Sequence, residues 1–318
     1  MISDLTSNPW PRDRSVITIG AYDGVHQGHR SVISEVRRLA ADLDARSVVV
    51  TFSRHPASVV RPESAPKLLT TLAQKLQLLA ETGVDAAVVV DFDEQRANES
   101  AADFVESVVV GCLRTRLVVV GEDFHFGHGR GGNVALLRQI GATHDFEVEP
   151  LRLVGAEASA SEPVSSTRIR KMVLAGDVTA AAVLLGRPYE LRGMVVSGDR
   201  RGRLIGFPTA NVEVPSEMCL PADGVYAAWY DCPDGSSHPC AVNLGRRPTF
   251  HEGSATSLLE AHLLDFDGDL YGEEAAVRFI RRLRSERKFD GIDALAVQLN
   301  IDIADARAAL RPSAAAPT

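Results

Sequence analysis

The chain has 318 residues, of which 45% are hydrophobic and 24% charged, and its formal net charge is −8. This length exceeds the usual span of one compact domain and favours two. The acidic balance argues against broad binding to nucleic acid or to an anionic membrane, because both need a concentrated basic surface. No apolar run approaches the roughly 20 residues of a membrane-spanning helix. Cysteines without CxxC spacing, and no secretory signal before them, predict a cytoplasmic protein with reduced thiols.

Short valine-rich runs alternate with segments of helical periodicity in the first half of the chain. This alternation predicts a parallel sheet with crossover helices, whose apolar strands are buried on both faces. The predicted strands are residues 15–20, 47–52, 86–91 and 117–121, and the predicted helices are 31–43, 71–82 and 100–113. Polar loops with the sequences YDGVHQGH, SRHP and GEDFHFGHGRGG follow three of the strands. Ligands collect at the carboxyl ends of parallel strands, so these loops form a candidate site.

From about residue 187 the chain consists of short apolar segments separated by turn residues at regular spacing. This pattern is typical of an all-β barrel or sandwich. Helices are predicted at residues 166–174 and 178–185, before the change, and at 292–310 near the end. A boundary is therefore expected near residue 186, with domains of residues 1–186 and 187–318.

The first polar loop, GAYDGVHQGHR at residues 20–30, joins a predicted strand to a predicted helix. A glycine-rich turn at a helix N-terminus presents backbone N–H groups and the positive end of the helix dipole to an anion. His26 and His29 can donate hydrogen bonds to phosphate oxygens there. Packing residues and a metal pair are alternatives that the residue types leave open. The turn lacks the Gly-Lys-Ser/Thr ending of a P-loop.

Two further segments combine hydroxyls, arginines and glycines. VSSTRIR at residues 164–170 places hydroxyls before Arg168 and Arg170 at a helix start, which suits either a triphosphate clamp or an ordinary N-cap. GDRRGRLIGFPTANVEVP at residues 198–215 is a glycine-rich loop followed by a threonine whose hydroxyl suits Mg²⁺. A calcium site at Asp265, Asp267 and Asp269 is disfavoured, because Ala276 stands where an EF-hand needs glutamate. That stretch is instead predicted to be a turn between strands.

Together these motifs resemble the bacterial bifunctional riboflavin kinase/FAD synthetase family. GAYDGVHQGHR is similar to the adenylyltransferase signature G-x-F/Y-D-G-x-H-x-G-H, and VVVTFSRHP, GEDFHFGHGRGGN and VSSTRIR follow in the family's order. GFPTAN is similar to the riboflavin kinase signature, and LPADGVYA, AVNLGRRPTF, LLEAHLLDFDGDLYG and LRSERKFDG follow it. The resemblance covers roughly residues 15–312.

The resemblance implies an α/β Rossmann-like nucleotidyltransferase domain, followed by an all-β barrel riboflavin kinase domain with a C-terminal helix. The barrel would phosphorylate riboflavin to FMN with ATP, and the first domain would adenylylate FMN with ATP to give FAD and pyrophosphate. The expected partners are riboflavin, FMN, FAD and the co-substrate ATP, with Mg²⁺ as the divalent cation and without nucleic acid or membrane. Two alternatives stay open: only one module is active, or the chain is a non-enzymatic flavin-binding regulator on the same folds.

The resemblance also implies roles for individual residues. His26, His29 and Glu260 are expected to be catalytic, with Glu260 as the general base toward the ribityl hydroxyl. The residues expected to bind ATP or its phosphates are Gly20, Asp23, Gly24, Gly28, Ser165, Ser166, Thr167, Arg168, Gly198, Gly202, Gly206 and Asn211. The expected flavin contacts are Asp123, Phe124 and Arg284, and the expected metal ligands are Thr209 and Asn211. The departures from the family pattern are Arg54, His125 and His128.

Overall fold

The structure is a computed structural model, and it describes residues 14–151, 163–198, 202, 206–245 and 258–311. Part of the predicted motif AVNLGRRPTF, from residue 246 onward, lies outside the described residues. By its internal contacts the chain divides into two compact units, residues 1–166 and 167–318. Two helices that precede the predicted boundary near residue 186 thus group with the second unit. The boundary itself stays a prediction.

The first unit is built on a five-stranded parallel sheet. Its elements are β1 (Ser15–Ile19), α1 (Gln27–Asp42), β2 (Arg46–Phe52), α2 (Pro56–Val60), α3 (Leu72–Ala80), β3 (Ala86–Val90), α4 (Glu94–Ala97), α5 (Ala101–Phe104), a π-helix (Val105–Cys112), β4 (Thr115–Gly121), β5 (His125–Phe126), β6 (Gly132–Asn133), α6 (Val134–His144) and β7 (Glu147–Leu151). The sheet order is β3-β2-β1-β4-β7, and all its pairings are parallel. Every residue of β1 is buried, as a strand covered on both faces requires.

The four predicted strands of this unit are confirmed, but three elements differ from expectation. Helix α1 begins at Gln27 rather than Ser31, because the His26 side chain caps it and accepts the backbone N–H of His29 at 3.3 Å. The sequence did not predict α6 or β7. Strand β7 is an edge strand with partly exposed residues, so its sequence EVEPL lacks the continuous apolar pattern of the buried strands.

The second unit is a closed antiparallel barrel that carries helices. Its elements are α7 (Ser166–Leu174), α8 (Val178–Leu185), β8 (Tyr189–Val196), β9 (Ala210–Glu213), β10 (Gly224–Asp231), β11 (Ser237–Gly245), β12 (Leu258–Leu263), β13 (Glu274–Ser285) and a C-terminal helix (Ile292–Leu310). The strand order is β10-β11-β12-β9-β8-β13, and β10 pairs with β13 to close the barrel. The predicted all-β barrel with a final helix is therefore confirmed.

Apolar side chains fix the position of the C-terminal helix on the barrel. Ala306 and Leu310 of this helix pack against Ala227 of β10 and Ala241 of β11, in one buried cluster. Burying apolar surface stabilises such a contact by roughly 25 cal/mol for each Å² removed from water. The helix therefore forms a wall beside the strands that carry the predicted kinase residues.

Candidate active sites

The turn between β1 and α1 lies at the carboxyl edge of the parallel sheet. Tyr22, Gly24 and Val25 in this turn have φ angles of 50°, 83° and 36°. A positive φ is costly for tyrosine and valine, by roughly 1–3 kcal/mol each, and persists only where the surroundings enforce it. Both side chains are buried, and the Tyr22 hydroxyl is 2.7 Å from the Thr18 hydroxyl. The turn is therefore a tightly held start for α1.

The two predicted histidines form a stacked pair at the N-terminus of α1. Their ring centroids are 3.6 Å apart and the planes differ by 16°. His26 accepts a hydrogen bond at Nδ1, so the proton of its neutral ring lies on Nε2. Nδ1 of His29 is buried and has no hydrogen-bond partner among the described residues. Burial lowers the pKa of His29 well below its ordinary value, and the neighbouring His26 and Lys75 lower it further. At neutral pH His29 is therefore an uncharged hydrogen-bonding group.

The alternatives based on metal binding gain no support from the structure. Among the residues that the structure describes, no group of three or more His, Cys, Asp or Glu side chains could hold a metal ion. In the stretch considered for calcium, the Asp265 carboxylate instead forms a two-pronged ion pair with Arg307 at 2.5 and 2.6 Å. The aspartate-rich stretch connects β12 to β13, as expected of a turn between strands.

The carboxylate of Asp23 holds the histidine turn against the loop before α3. It is 5% exposed and accepts the backbone N–H groups of Leu69 at 2.9 Å and Thr70 at 3.0 Å, as well as the Thr70 hydroxyl at 3.2 Å. The Thr70 hydroxyl in turn accepts the N–H of Gly24 at 3.1 Å. With the carboxylate engaged by the protein, the predicted contact of Asp23 with ATP stays a prediction.

Ser166 connects the second predicted phosphate segment to the same turn. Its hydroxyl donates to the backbone carbonyl of Asp23 at 2.9 Å. A Cβ atom on Gly28 would lie 3.3 Å from the His26 ring and 3.4 Å from the carbonyl of Val164, so this position favours glycine. The predicted residues of the first unit that lie at this edge are Gly20, Asp23, Gly24, His26, Gly28, His29, Ser165 and Ser166. Thr167 and Arg168 follow in α7, and their role stays a prediction.

The loop after β4 contains the two residues predicted to contact the flavin in this unit. Phe124 stacks with Phe126 at a centroid distance of 5.3 Å and an angle of 16°, and it packs against the core beneath the sheet. Asp123 is exposed, and its backbone carbonyl is 2.7 Å from Nδ1 of His125. Among the departures from the family pattern, Arg54 is also exposed, while His128 Nδ1 lies 3.3 Å from a backbone carbonyl in α4. These side chains extend the same edge of the sheet.

Sequence reasoning missed Lys75, a buried lysine of α3. It is 8% exposed, and its Nζ donates to the carbonyls of Phe52 at 2.7 Å and Ala21 at 3.3 Å. These carbonyls lie where β1 and β2 end, so one ammonium group bridges two loops of the candidate site. Burial lowers the pKa of Lys75 to about 8, and the charge of Asp23 opposes this shift. The sequence could have indicated that Lys75 is buried, because Leu78 and Leu79 follow it by three and four residues and share its face of the helix.

In the barrel, strand register brings the predicted kinase residues together. Glu260 of β12 pairs with Asn211 of β9 on one side and with Asn243 of β11 on the other. A cavity of about 370 Å³ opens beside them. Five predicted residues line it: Gly202, Thr209, Asn211, Glu260 and Arg284. Short antiparallel strands therefore gather side chains that are distant in the sequence.

A second cavity of about 340 Å³ shares two of these residues. Thr209 and Asn211 line both cavities, and the other lining residues of the second include the stretch from Phe266 to Tyr271. A Cβ atom on Gly198 would lie 2.3 Å from the Asn211 amide, so a side chain at this position would displace the amide. Gly206, with a φ of 85°, forms the turn just before Phe207. Because Thr209 and Asn211 line both cavities, they form a wall that the two cavities share.

Arg284, the predicted flavin contact of the barrel, is tied to the C-terminal helix. Its guanidinium forms two parallel bonds to the buried Asp302 carboxylate, at 2.8 and 2.7 Å. Gln298 donates to the same carboxylate at 2.7 Å. This geometry identifies Arg284 as a link between β13 and the helix beside the cavity, while its contact with flavin stays a prediction.

Comparisons with known proteins match both units of the chain. A family model described as FAD synthetase matches residues 9–168, and one described as riboflavin kinase matches residues 185–310. A bifunctional riboflavin kinase/FMN adenylyltransferase from Pseudomonas fluorescens is 39% identical over 299 residues, which cover 94% of each chain. The chain belongs to the bifunctional riboflavin kinase/FMN adenylyltransferase family. The family member from Listeria monocytogenes is 36% identical over 305 residues, covering 96% of this chain and 95% of that one.

A solved structure extends the comparison to three dimensions. It is described as a macrolide-efflux protein from Streptococcus pneumoniae, with 32% identity and a TM-score of 0.82, over 94% of this chain and 95% of that one. In the part of this chain that the structure describes, no helix has the length and apolar character needed to cross a membrane. The likeness covers both units.

Proposed function

We propose that each unit of the chain carries one of the two reactions of its family. As a member of that family, the chain is a bifunctional enzyme that phosphorylates riboflavin to FMN and adenylylates FMN to FAD, with ATP as co-substrate. The barrel is assigned the kinase reaction and the unit with the parallel sheet the adenylyl transfer. The order of the two matched family models supports this division.

Glu260 is the proposed general base of the kinase reaction. The observation that carries this role is its position in the strand register, facing Asn211 and lining one cavity with Thr209. The carboxylate accepts the proton of the ribityl 5′-hydroxyl as that oxygen bonds to the γ-phosphorus of ATP. The bond from this phosphorus to the bridging oxygen breaks, and ADP leaves. The alcohol thus enters from the cavity that Glu260 lines.

The two cavities suit two substrates that meet at a shared wall. The larger one is lined by the aromatic rings of Phe207 and Phe289, which suit the flavin ring system. The second is the proposed nucleotide side, and Thr209 and Asn211 face both. Phosphoryl transfer requires the two substrates in line across such a boundary.

Thr209 and Asn211 are the proposed protein ligands of Mg²⁺. They offer hydroxyl and amide oxygens, which this ion prefers, and the phosphates of ATP would complete its coordination. The fit is supported by the bare backbone of Gly198, since a side chain there would collide with the Asn211 amide. When bound, Mg²⁺ offsets the negative charge of the phosphates.

His26 and His29 are the proposed catalytic residues of the adenylyl transfer. The phosphate oxygen of FMN bonds to the α-phosphorus of ATP, and the bond to pyrophosphate breaks. Imidazole N–H groups at a helix N-terminus can donate to the oxygens on which charge increases. The stacked pair, with the unpartnered Nδ1 of His29, carries this assignment. The proposed second set of phosphate contacts consists of Ser165, Ser166, Thr167 and Arg168. The proposed flavin contacts are Asp123 and Phe124.

One assay tests the whole assignment. The full chain is incubated with riboflavin, ATP and Mg²⁺, and the flavins are separated by chromatography. We expect FMN and FAD from the natural chain, strongly reduced FMN from Glu260→Gln, and FMN with strongly reduced FAD from His29→Ala. Loss of both products in His29→Ala would contradict separate sites. FMN without FAD from the natural chain would show that the first unit is inactive.

We also propose that the enzyme works in the cytoplasm. Free cysteines without CxxC spacing support a reducing compartment. Fractionation of cells that produce the chain, followed by the flavin assay on each fraction, tests this. Activity confined to a periplasmic or secreted fraction would contradict it.

A further inference from the structure

His262 occupies an unexplained position beside the proposed base. It follows Glu260 by two residues on β12, so both side chains leave the same face of the strand. Both line the larger cavity of the barrel. Nδ1 of His262 is 2.7 Å from the carbonyl oxygen of Pro208, and the ring meets Phe207 edge-on at 5.8 Å. The histidine therefore contacts the turn that precedes β9.

The contact between His262 and Pro208 lies just beyond the last backbone pair of strands β12 and β9. Strands β12 and β9 are antiparallel, and their last pair toward this turn joins Ala261 to Ala210. Pro208 has no N–H group and cannot donate a further ladder bond. The carbonyl group of Pro208 can still accept a hydrogen bond, and it accepts one from the His262 side chain. A carbonyl only accepts, so Nδ1 of His262 carries a proton, in the neutral ring as in the charged one.

We infer that His262 is a positioning residue for the kinase reaction, which fixes Thr209 by holding the carbonyl of Pro208. Thr209 lies between two restrained neighbours, because the ladder holds Ala210 and the imidazole holds Pro208. The strand that presents Glu260 thereby also sets the place of the threonine hydroxyl. The inference rests on the proposed role of Thr209 toward the nucleotide and Mg²⁺.

The shape of the amide side chains gives a specific test in the full chain. In His262→Asn the amide nitrogen takes the place of Nδ1, whereas in His262→Gln it reaches the place of Nε2, and His262→Ala has no donor. We expect Gln and Ala to lower kcat/KM for ATP in FMN formation by about tenfold, mainly through KM, and Asn to stay within about threefold. Equal losses in Asn and Gln would overturn the inference.

A measurement without turnover separates positioning from catalysis. In calorimetric titration with ADP and Mg²⁺, the affinity should fall more in His262→Ala and His262→Gln than in His262→Asn. Unchanged binding in all three variants would overturn the inference, as would loss of one limb of the kcat pH profile in His262→Asn, since that loss indicates proton transfer by the ring. The circular dichroism spectrum and thermal unfolding of the same samples report whether the barrel is folded, since FAD formation is assigned to the other unit.

Two further variants complete the design. His144→Gln is the control, an exposed histidine in the last turn of α6 that lines neither barrel cavity. It should leave FMN formation unchanged. Thr209→Ala tests the proposed role of Thr209 itself. Normal binding of ADP and Mg²⁺ in that variant would refute the role of Thr209, whereas the order of the Asn and Gln variants tests His262 independently.

Discussion

The two units position their reactive groups by different means. In the first unit the side chains stand on loops at the edge of a parallel sheet, and a few tethers such as the Asp23 carboxylate hold those loops. In the barrel, Glu260 and Asn211 lie opposite each other within paired strands, so the backbone ladder fixes their spacing. The first site therefore depends on individual side-chain bonds, and the second depends on register.

Glu260→Gln is expected to have the largest effect. Losing a general base should slow FMN formation by about 10²–10⁴-fold, while FAD formation from supplied FMN persists, because the ladder and the fold are unchanged. Rates of both reactions on the purified variant measure this. Glu274→Gln, at the exposed start of β13, is the matched control and should be neutral. A kinase rate within tenfold of normal would refute the role of Glu260.

His29→Ala should lower FAD formation by about 10²–10³-fold, the cost of losing one hydrogen-bond donor to a transition state. FMN formation should stay within twofold, since the barrel is a separate unit. Steady-state rates with FMN and ATP measure the loss. The control is His144→Ala, an exposed histidine in the last turn of α6. A comparable loss in both reactions would break the contrast between the two units.

Asp23→Asn tests whether the first site depends on the hydrogen bonds between the Asp23 carboxylate and the loop before α3. The amide cannot accept all of the bonds that the carboxylate accepts from Leu69 and Thr70, so the first unit should lose about 1–3 kcal/mol of stability. Urea denaturation followed by the FAD assay measures both consequences. FAD formation should weaken and FMN formation should not. An unchanged unfolding midpoint would show that the carboxylate does not hold the loop.

The smallest effect concerns pH. With a pKa of about 8, Lys75 is charged below pH 8 and loses its positive charge as the pH rises through that value. Asp23 and His29 are the charged and titratable neighbours that sense this change. KM for ATP in FAD formation should therefore rise by about threefold above pH 8, and Lys75→Met should remove the step. A step that persists in Lys75→Met would assign it to another group.

Much of the fold could be predicted, because buried strands leave continuous valine runs and turns leave glycine. The start of α1 was misplaced, since the cap is the side chain of His26 rather than a residue of the usual capping types. Arg284 was predicted to face the flavin, but its partner Asp302 lies on the final helix, and no local pattern shows that pairing. His262 and Pro208 likewise meet only through the register of β12 and β9. Local sequence patterns therefore do not predict contacts between segments that are distant in the chain.

The wall shared by the two barrel cavities has a consequence for inhibitors. Thr209 and Asn211 line both openings. A compound that joins a flavin-like ring to a nucleotide-like group across this wall would bind its second half at a high effective concentration. It would need no new contact to gain affinity over either half.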